Sequence, residues 1–247
     1  MALYDAIGRE YAKLRRADSR IEHQIVDALG DAARVVNVGA GAGSYEPWDR
    51  FVVAVEPSTT MIAQRPPGSA PAVQASAEAL PFRDAAFDAS LAILTIHHWA
   101  DWRRGVNELA RTTKKRIVIL TWDPSLPTFW LVNDYFPEIL ASDRVIFPSV
   151  DDLRQELGPL RITAVPIPHD CTDGLLGAYW RRPEEYLETS VREAISAFNK
   201  LSDVETGLRK LRADLGSGVW QRRNRALFDS DTLDLGYRLI VSNVRAA

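Results

Sequence analysis

Three glycines at alternate positions, Gly39, Gly41 and Gly43, close a short apolar run, Val35-Val36-Asn37-Val38. An acid, Glu56, closes the next such run, Phe51-Val52-Val53-Ala54-Val55. Glycine carries no Cβ, so a turn of this kind lets a ligand lie against bare backbone. An acid roughly 20 residues past the turn, at the tip of the second strand, is placed to accept hydrogen bonds from ribose hydroxyls. The pattern implies a ribose-bearing cofactor. Dinucleotide sites use G-x-G-x-x-G, whose third glycine aims the following helix at pyrophosphate. Here Ser44 stands where that pattern wants the glycine, which counts against a nicotinamide enzyme.

These residues need a scaffold, and the hydrophobic periodicity supplies one. Residues 4–17 read as a helix with Tyr4, Ile7, Tyr11 and Leu14 on one face. A second helix, over about 20–30, turns Ile21, Ile25, Val26 and Leu29 inward and ends at Gly30. The valine run before the glycine turn has no polar alternation, as in a parallel strand buried on both faces. Strand 2 ends at Glu56, and Ser58 is the predicted N-cap of the helix that follows. Strands are further predicted at about 72–75, 86–94, 116–122, 161–168 and 236–244. Helices are predicted at 101–112, at 126–140 (rich in aromatics) and, with little hydrophobic density, at 183–213.

The G-x-G-x-G turn, the acid that ends strand 2, the stretch Ala75-Ser76-Ala77-Glu78-Ala79-Leu80-Pro81-Phe82 and the pair His97-His98 after strand 4 together resemble class I S-adenosylmethionine-dependent methyltransferases, of the methyltransferase type 11-like kind. The resemblance covers roughly residues 30–122. It implies an α/β fold: a doubly wound, Rossmann-like, seven-strand and mostly parallel sheet whose last strand is antiparallel, with a helical lid. It also implies one domain over 1–247, with cap helices at 1–30, a cofactor-binding half at 31–122 and an acceptor-binding half at 123–247. The last half carries a helical insertion at about 183–214.

The same resemblance implies S-adenosyl-L-methionine as cofactor. It assigns Gly39, Ala40 and Gly41 to the methionine moiety, Glu56 to the ribose, and Pro57, Ser58 and Met61 to the adenosine. Ser76, Ala77 and Glu78 line the adenine loop, where the family usually has Asp at the place of Ser76. Leu94 lies at the end of strand 4. Asn37 replaces the acid that often precedes the turn. Tyr11 or Arg16, from an N-terminal helix folded over the cofactor, would meet its carboxylate.

Methyl transfer is an in-line displacement, so the protein chiefly orients its substrates and, for a protonated acceptor, supplies a base. His97, His98 and His169 are the candidate catalytic residues. Trp122, Asp123, Trp130, Tyr135, Tyr179 and Trp180 follow strands 5 and 6 and are the candidate acceptor-binding residues, their rings offering faces to a planar acceptor or a sulfonium. No metal-ligand spacing is visible. A net charge of −3 leaves no nucleic-acid footprint. No apolar run approaches the roughly 20 residues that span a bilayer, and the single cysteine, Cys171, fits a reducing cytoplasm. The expectation is a cytoplasmic monomer or homodimer that methylates a small molecule. The alternative is a protein of the same fold that binds S-adenosylmethionine or S-adenosylhomocysteine for sensing or for other chemistry.

Overall fold

In the computed structural model, residues 14–126 and 129–244 are described. The first helix that lies wholly within the described residues, α1 (Ser19–Leu29), is capped by Asp18, whose side chain accepts from the Arg20 N–H, and it buries Ile21, Ile25, Ala28 and Leu29. Then come β1 (Arg34–Val38), β2 (Phe51–Val55), α2 (Thr59–Ala63), β3 (Ala72–Val73) and β4 (Phe87–Ile93). Helix α3 (Trp102–Thr112) runs directly into β5 (Thr113–Trp122). The main sheet has the order β3-β2-β1-β4-β5-β9-β6, with β9 (Tyr237–Asn243) antiparallel to both β5 and β6 (Leu160–Ala164). The other pairings in it are parallel. The doubly wound architecture with its antiparallel last strand is therefore as expected.

Period-two alternation splits the sheet into two buried faces. Val35, Ala89, Leu91, Val118 and Leu120 face one way, onto α1, Trp122 and the aromatic half of the chain. Val36, Val38, Ile117 and Ile119 face the other, onto Val106 and Leu109 of α3 and Leu153 of α5 (Val150–Leu157). Because β1, β2, β4 and β5 are parallel, their carboxyl ends (Val38, Val55, Ile93 and Trp122) share one edge. Loops at that edge hold ligands in open α/β sheets.

Three predicted elements divide. The strand expected over 161–168 breaks at Val165-Pro166: β6 stays in the main sheet, while β7 (Ile167–Pro168) pairs with β8 (Thr232–Leu233) in a separate ribbon. The aromatic helix is interrupted because Pro137 has no N–H to continue the ladder. A π-type turn over Leu131–Tyr135 precedes it, and α4 (Pro137–Ile146) starts afresh with the proline in its first turn. The stretch 183–213 divides into 3-10 turns at Pro183–Leu187 and Phe198–Lys200 and helices α6 (Thr189–Glu193) and α7 (Glu205–Gly216), with α8 (Val219–Arg223) after them.

Most of the aromatics expected at the acceptor site are packed into the core on the α1 face of the sheet. The Trp130 ring meets Trp220, Tyr186 and Tyr135 edge-on, at centroid distances of 5.2, 5.6 and 5.8 Å. Its indole N–H donates to the Trp180 carbonyl (2.8 Å), and that of Trp180 donates to the Ile167 carbonyl (3.0 Å). Tyr135 donates its hydroxyl to Asp214, and Tyr179 packs edge-on against Tyr186. Each of these polar tips on Trp130, Trp180 and Tyr135 already has a partner, so the rings act as buried apolar mass. Trp180→Ala therefore acts as a core truncation, expected to cost about 3–5 kcal/mol of folding stability in denaturant titration.

Candidate active site

The glycine turn is held in a conformation that excludes side chains. Gly39, Gly41 and Gly43 have φ of 70°, 54° and 95°. The N–H groups of Gly39 and Ala40 donate to the Val55 carbonyl at 2.8 and 3.0 Å, fastening the turn to β2. A Cβ on Gly39 would sit 2.0 Å from Thr95 Oγ1, so Gly39 is required by packing as well as by φ. Glu56 is buried, and its two carboxylate oxygens accept from the N–H groups of Gly41 and Ser58, each at 2.9 Å. One acid thus ties the turn to the start of α2.

Below the turn lies a second anchor. The Glu46–Arg65 ion pair (2.6 Å) is almost wholly buried, and Arg65 also donates to the carbonyls of Gly41 and Ala70. Glu46 accepts from Asn37 Nδ2 at 3.2 Å, which fixes the carboxamide and leaves Asn37 Oδ1 buried without a hydrogen-bond partner. A lone acceptor kept dry in this way costs free energy unless a ligand donates to it.

Asn37, the glycine turn and Glu56 line a cleft of about 610 Å³ at the carboxyl edge of the sheet. Of the expected cofactor residues, Asn37, Gly39, Ala40, Gly41, Glu56, Pro57, Met61, Ser76, Ala77, Glu78 and Leu94 all line it. Ser58 does not, being buried as the N-cap that accepts from the Met61 N–H. Arg16 is exposed, and its neighbour Arg15 enters the cleft instead. Tyr11 lies outside the described residues, as do Tyr4 and Ile7.

Arg15 is set by a buried network. Its guanidinium Nε meets Asp173 at 2.5 Å, the Tyr45 hydroxyl donates to the same carboxylate at 2.9 Å, and the Gly174 N–H donates to the Leu14 carbonyl. Burial and the adjacent Asp173 carboxylate hold the Tyr45 phenol firmly protonated. Ser44 donates its hydroxyl to the Arg15 carbonyl (2.9 Å), so this segment is fastened to the glycine turn and to the 173–174 loop at once.

A smaller cavity of about 60 Å³ adjoins the cleft and shares Arg15, Leu94 and His98 with it. Leu94, at the junction, has a left-handed φ of 50° that a side-chain-bearing residue adopts only under constraint. His97 and His98 do not alternate across a pleat as strand residues would. They lie on a 3-10 turn, Ile96–His98, with rings 3.8 Å apart, and His97 stacks on Phe147 at 3.9 Å. Trp122 completes the wall, its indole N–H donating to the Leu235 carbonyl.

Burial lowers both histidines, His98 to about 3, and the positive charges of Lys200 and Arg15 push the same way. A base that weak is far from the operating pH of a general base, so neither imidazole suits proton abstraction. His169 lies half-buried beside the β7–β8 ribbon, its N–H on the Asp231 carbonyl, and lines neither cavity. Asp123 is occupied by the N–H and hydroxyl of Ser125, and Trp130, Tyr135, Tyr179 and Trp180 likewise line neither cavity.

Among the lining residues outside the expected set are Arg15, Tyr45, Thr95, Asp143 and Lys200. Asp143 had a legible signal, because it stands between Ile139 and Phe147 at four-residue spacing, a lone acid on an apolar helix stripe. The imidazoles of His97 and His98 are expected to stay neutral and unshifted by NMR from about pH 5 to about pH 8, the range in which unperturbed histidine titrates.

The chain matches the family model described as "Methyltransferase domain" over residues 36–120. Its structure is similar to that of a putative methyltransferase from an antibiotic biosynthesis pathway of Anabaena variabilis, with a TM-score of 0.85, 33% identity and coverage of 93% of this chain and 98% of that one. It is also similar to a Bacillus subtilis protein, the uncharacterized methyltransferase YcgJ, at 27% identity over 144 residues. That match spans 54% of this chain and about half, 49%, of the relative's length. Geranyl diphosphate C-methyltransferase of Streptomyces coelicolor, solved with S-adenosyl-L-homocysteine, shares the fold at a TM-score of 0.53 and 17% identity, over 92% of this chain and 77% of that one. With the glycine turn, its acid and the sheet order in agreement, the chain belongs to the class I S-adenosylmethionine-dependent methyltransferases.

Proposed function

We propose that this protein transfers the methyl group of S-adenosylmethionine to a small-molecule acceptor. The observation that carries the reading is the bare-backbone turn at Gly39–Gly41 with the buried Glu56 beneath it, opening onto a second, smaller cavity through Leu94 and His98. The orphaned Asn37 Oδ1 fits a donor such as the cofactor's ammonium, and Glu56 fits ribose hydroxyls. Arg15 would face the methionine carboxylate, and Ser76 and Ala77 the adenine. When bound, the cofactor supplies an activated methyl carbon on a sulfonium sulfur. The residues of this chain bind and orient it, and the buried walls keep water from competing for the methyl group.

A small acceptor agrees with the modest second cavity, and the Streptomyces relative, whose structure holds geranyl diphosphate, offers a parallel. Among the described residues no helix is long and apolar enough to cross a membrane, and no group of side chains is arranged to hold a metal. The one cysteine, buried Cys171, agrees with a reducing cytoplasm.

Calorimetric titration with S-adenosylhomocysteine tests the reading, and a folded wild-type protein that does not bind it would refute it. Glu56→Ala is expected to weaken that binding by about 1.5–3 kcal/mol for each charge-assisted bond lost. Glu46→Gln should weaken S-adenosylhomocysteine, because it loosens the Asn37 carboxamide, while leaving 5′-methylthioadenosine, which lacks the amino-acid end, unchanged. Equal losses for both ligands would remove Asn37 from recognition of the ammonium group.

A further inference from the structure

The second cavity holds a buried acid whose one charged neighbour, Lys200, acts on it without a close contact. Asp143 comes from the middle of α4 and is only 4% exposed, yet its carboxylate has no hydrogen bond and no ion pair among the described residues. It faces His97 and His98 from the turn after β4, Tyr237 from β9, Lys200 from the 198–200 turn and Arg15 from the N-terminal segment, all lining the same space. Lys200 lies at the exposed rim, and among the described residues its charge reaches Asp143 from beyond ion-pair distance. Opposite charges that share a cavity without touching leave room for a bound group between them.

We propose that Asp143 binds the methyl acceptor through a hydroxyl group and takes the proton of that hydroxyl as transfer occurs. The inference rests on the methyltransferase reading above and names the acceptor end of the same site. A buried carboxylate without donors lacks a proton-bearing partner, and a hydroxyl supplies one. The surrounding field selects between hydroxyl and amine. Lys200 already supplies positive charge to Asp143 and to His98, so a neutral hydroxyl, and not a second cation, completes the site. With the histidines held neutral, Asp143 is the group in the cavity whose basicity suits proton removal, since burial raises it to about 6, against the opposing pull of Lys200.

The proton passes from the acceptor oxygen to the Asp143 carboxylate while an oxygen lone pair forms the new O–CH3 bond. The S–CH3 bond breaks, its electron pair stays on sulfur, and the carboxylic acid then returns its proton to solvent. The cavity admits about four waters' worth of volume, so it holds the reacting hydroxyl and the few atoms next to it.

The test uses two small probes matched in size, 2-fluoroethanol and 2-fluoroethylammonium, followed by fluorine NMR on protein saturated with S-adenosylhomocysteine. Wild-type protein is expected to broaden and shift the alcohol more than the ammonium. Asp143→Asn should weaken alcohol binding about tenfold, the difference between a charge-assisted and a neutral hydrogen bond, and Asp143→Leu should abolish it. Both variants should bind S-adenosylhomocysteine as wild type does. Asp143→Asn should also melt higher at neutral pH. Burial raises the folded-state value, so ionisation of Asp143 costs stability, and the variant's advantage is absent in acid and grows between about 3.8 and about 6.

A structural acid would give the reverse, a variant less stable than wild type. Unchanged alcohol binding in Asp143→Leu, preference for the ammonium, or no alcohol binding by the loaded wild type would overturn the assignment. Failure of wild-type protein to bind S-adenosylhomocysteine would instead overturn the methyltransferase reading beneath it.

Discussion

The Glu56 carboxylate is the interaction on which the cofactor cleft depends. Its two oxygens take the N–H of Gly41 and the N–H of Ser58, so the end of β2, the glycine turn and the start of α2 meet at one buried acid. A buried, ionised carboxylate survives only where donors surround it. Here the donors are the N–H of left-handed Gly41 and the N–H of Ser58, the N-cap of α2. The arrangement is made by the fold before any ligand enters, which lowers the ordering cost of binding.

The other half of the site is assembled differently. Arg15 and Asp173, 158 positions apart, meet in an ion pair that has little exposure, and Tyr45 and Ser44 fasten the same segment to the glycine turn. Removing one partner of such a pair leaves an uncompensated buried charge, so the pair behaves as a unit. The acceptor half of the chain is thereby coupled to the cofactor half through side chains and one backbone bridge, Arg15 with Asp173.

Much of the cofactor half was legible because its signals are local. Glycine spacing, a strand-end acid and a valine run each report a backbone requirement within a few residues. The seven-strand sheet with its antiparallel last strand followed from family resemblance. The acceptor half was less legible for a physical reason: a sequence shows that Trp130, Tyr135 and Trp180 are aromatic, but their role depends on whether their polar tips find partners, and here backbone carbonyls and Asp214 supply them. Arg16 and Arg15 differ only in which face of the segment each occupies. Asp143 broke an apolar stripe, a local sign that a polar group is carried into the interior for a use other than packing.

The decisive measurement is a crystal structure of the protein with S-adenosylhomocysteine. The amino-acid end of the ligand is expected over Gly39–Gly41 with its nitrogen on Asn37 Oδ1, the ribose hydroxyls on Glu56, and the sulfur facing the cavity of His97, His98 and Asp143. A ligand bound elsewhere, or one whose sulfur points away from Asp143, would contradict this arrangement.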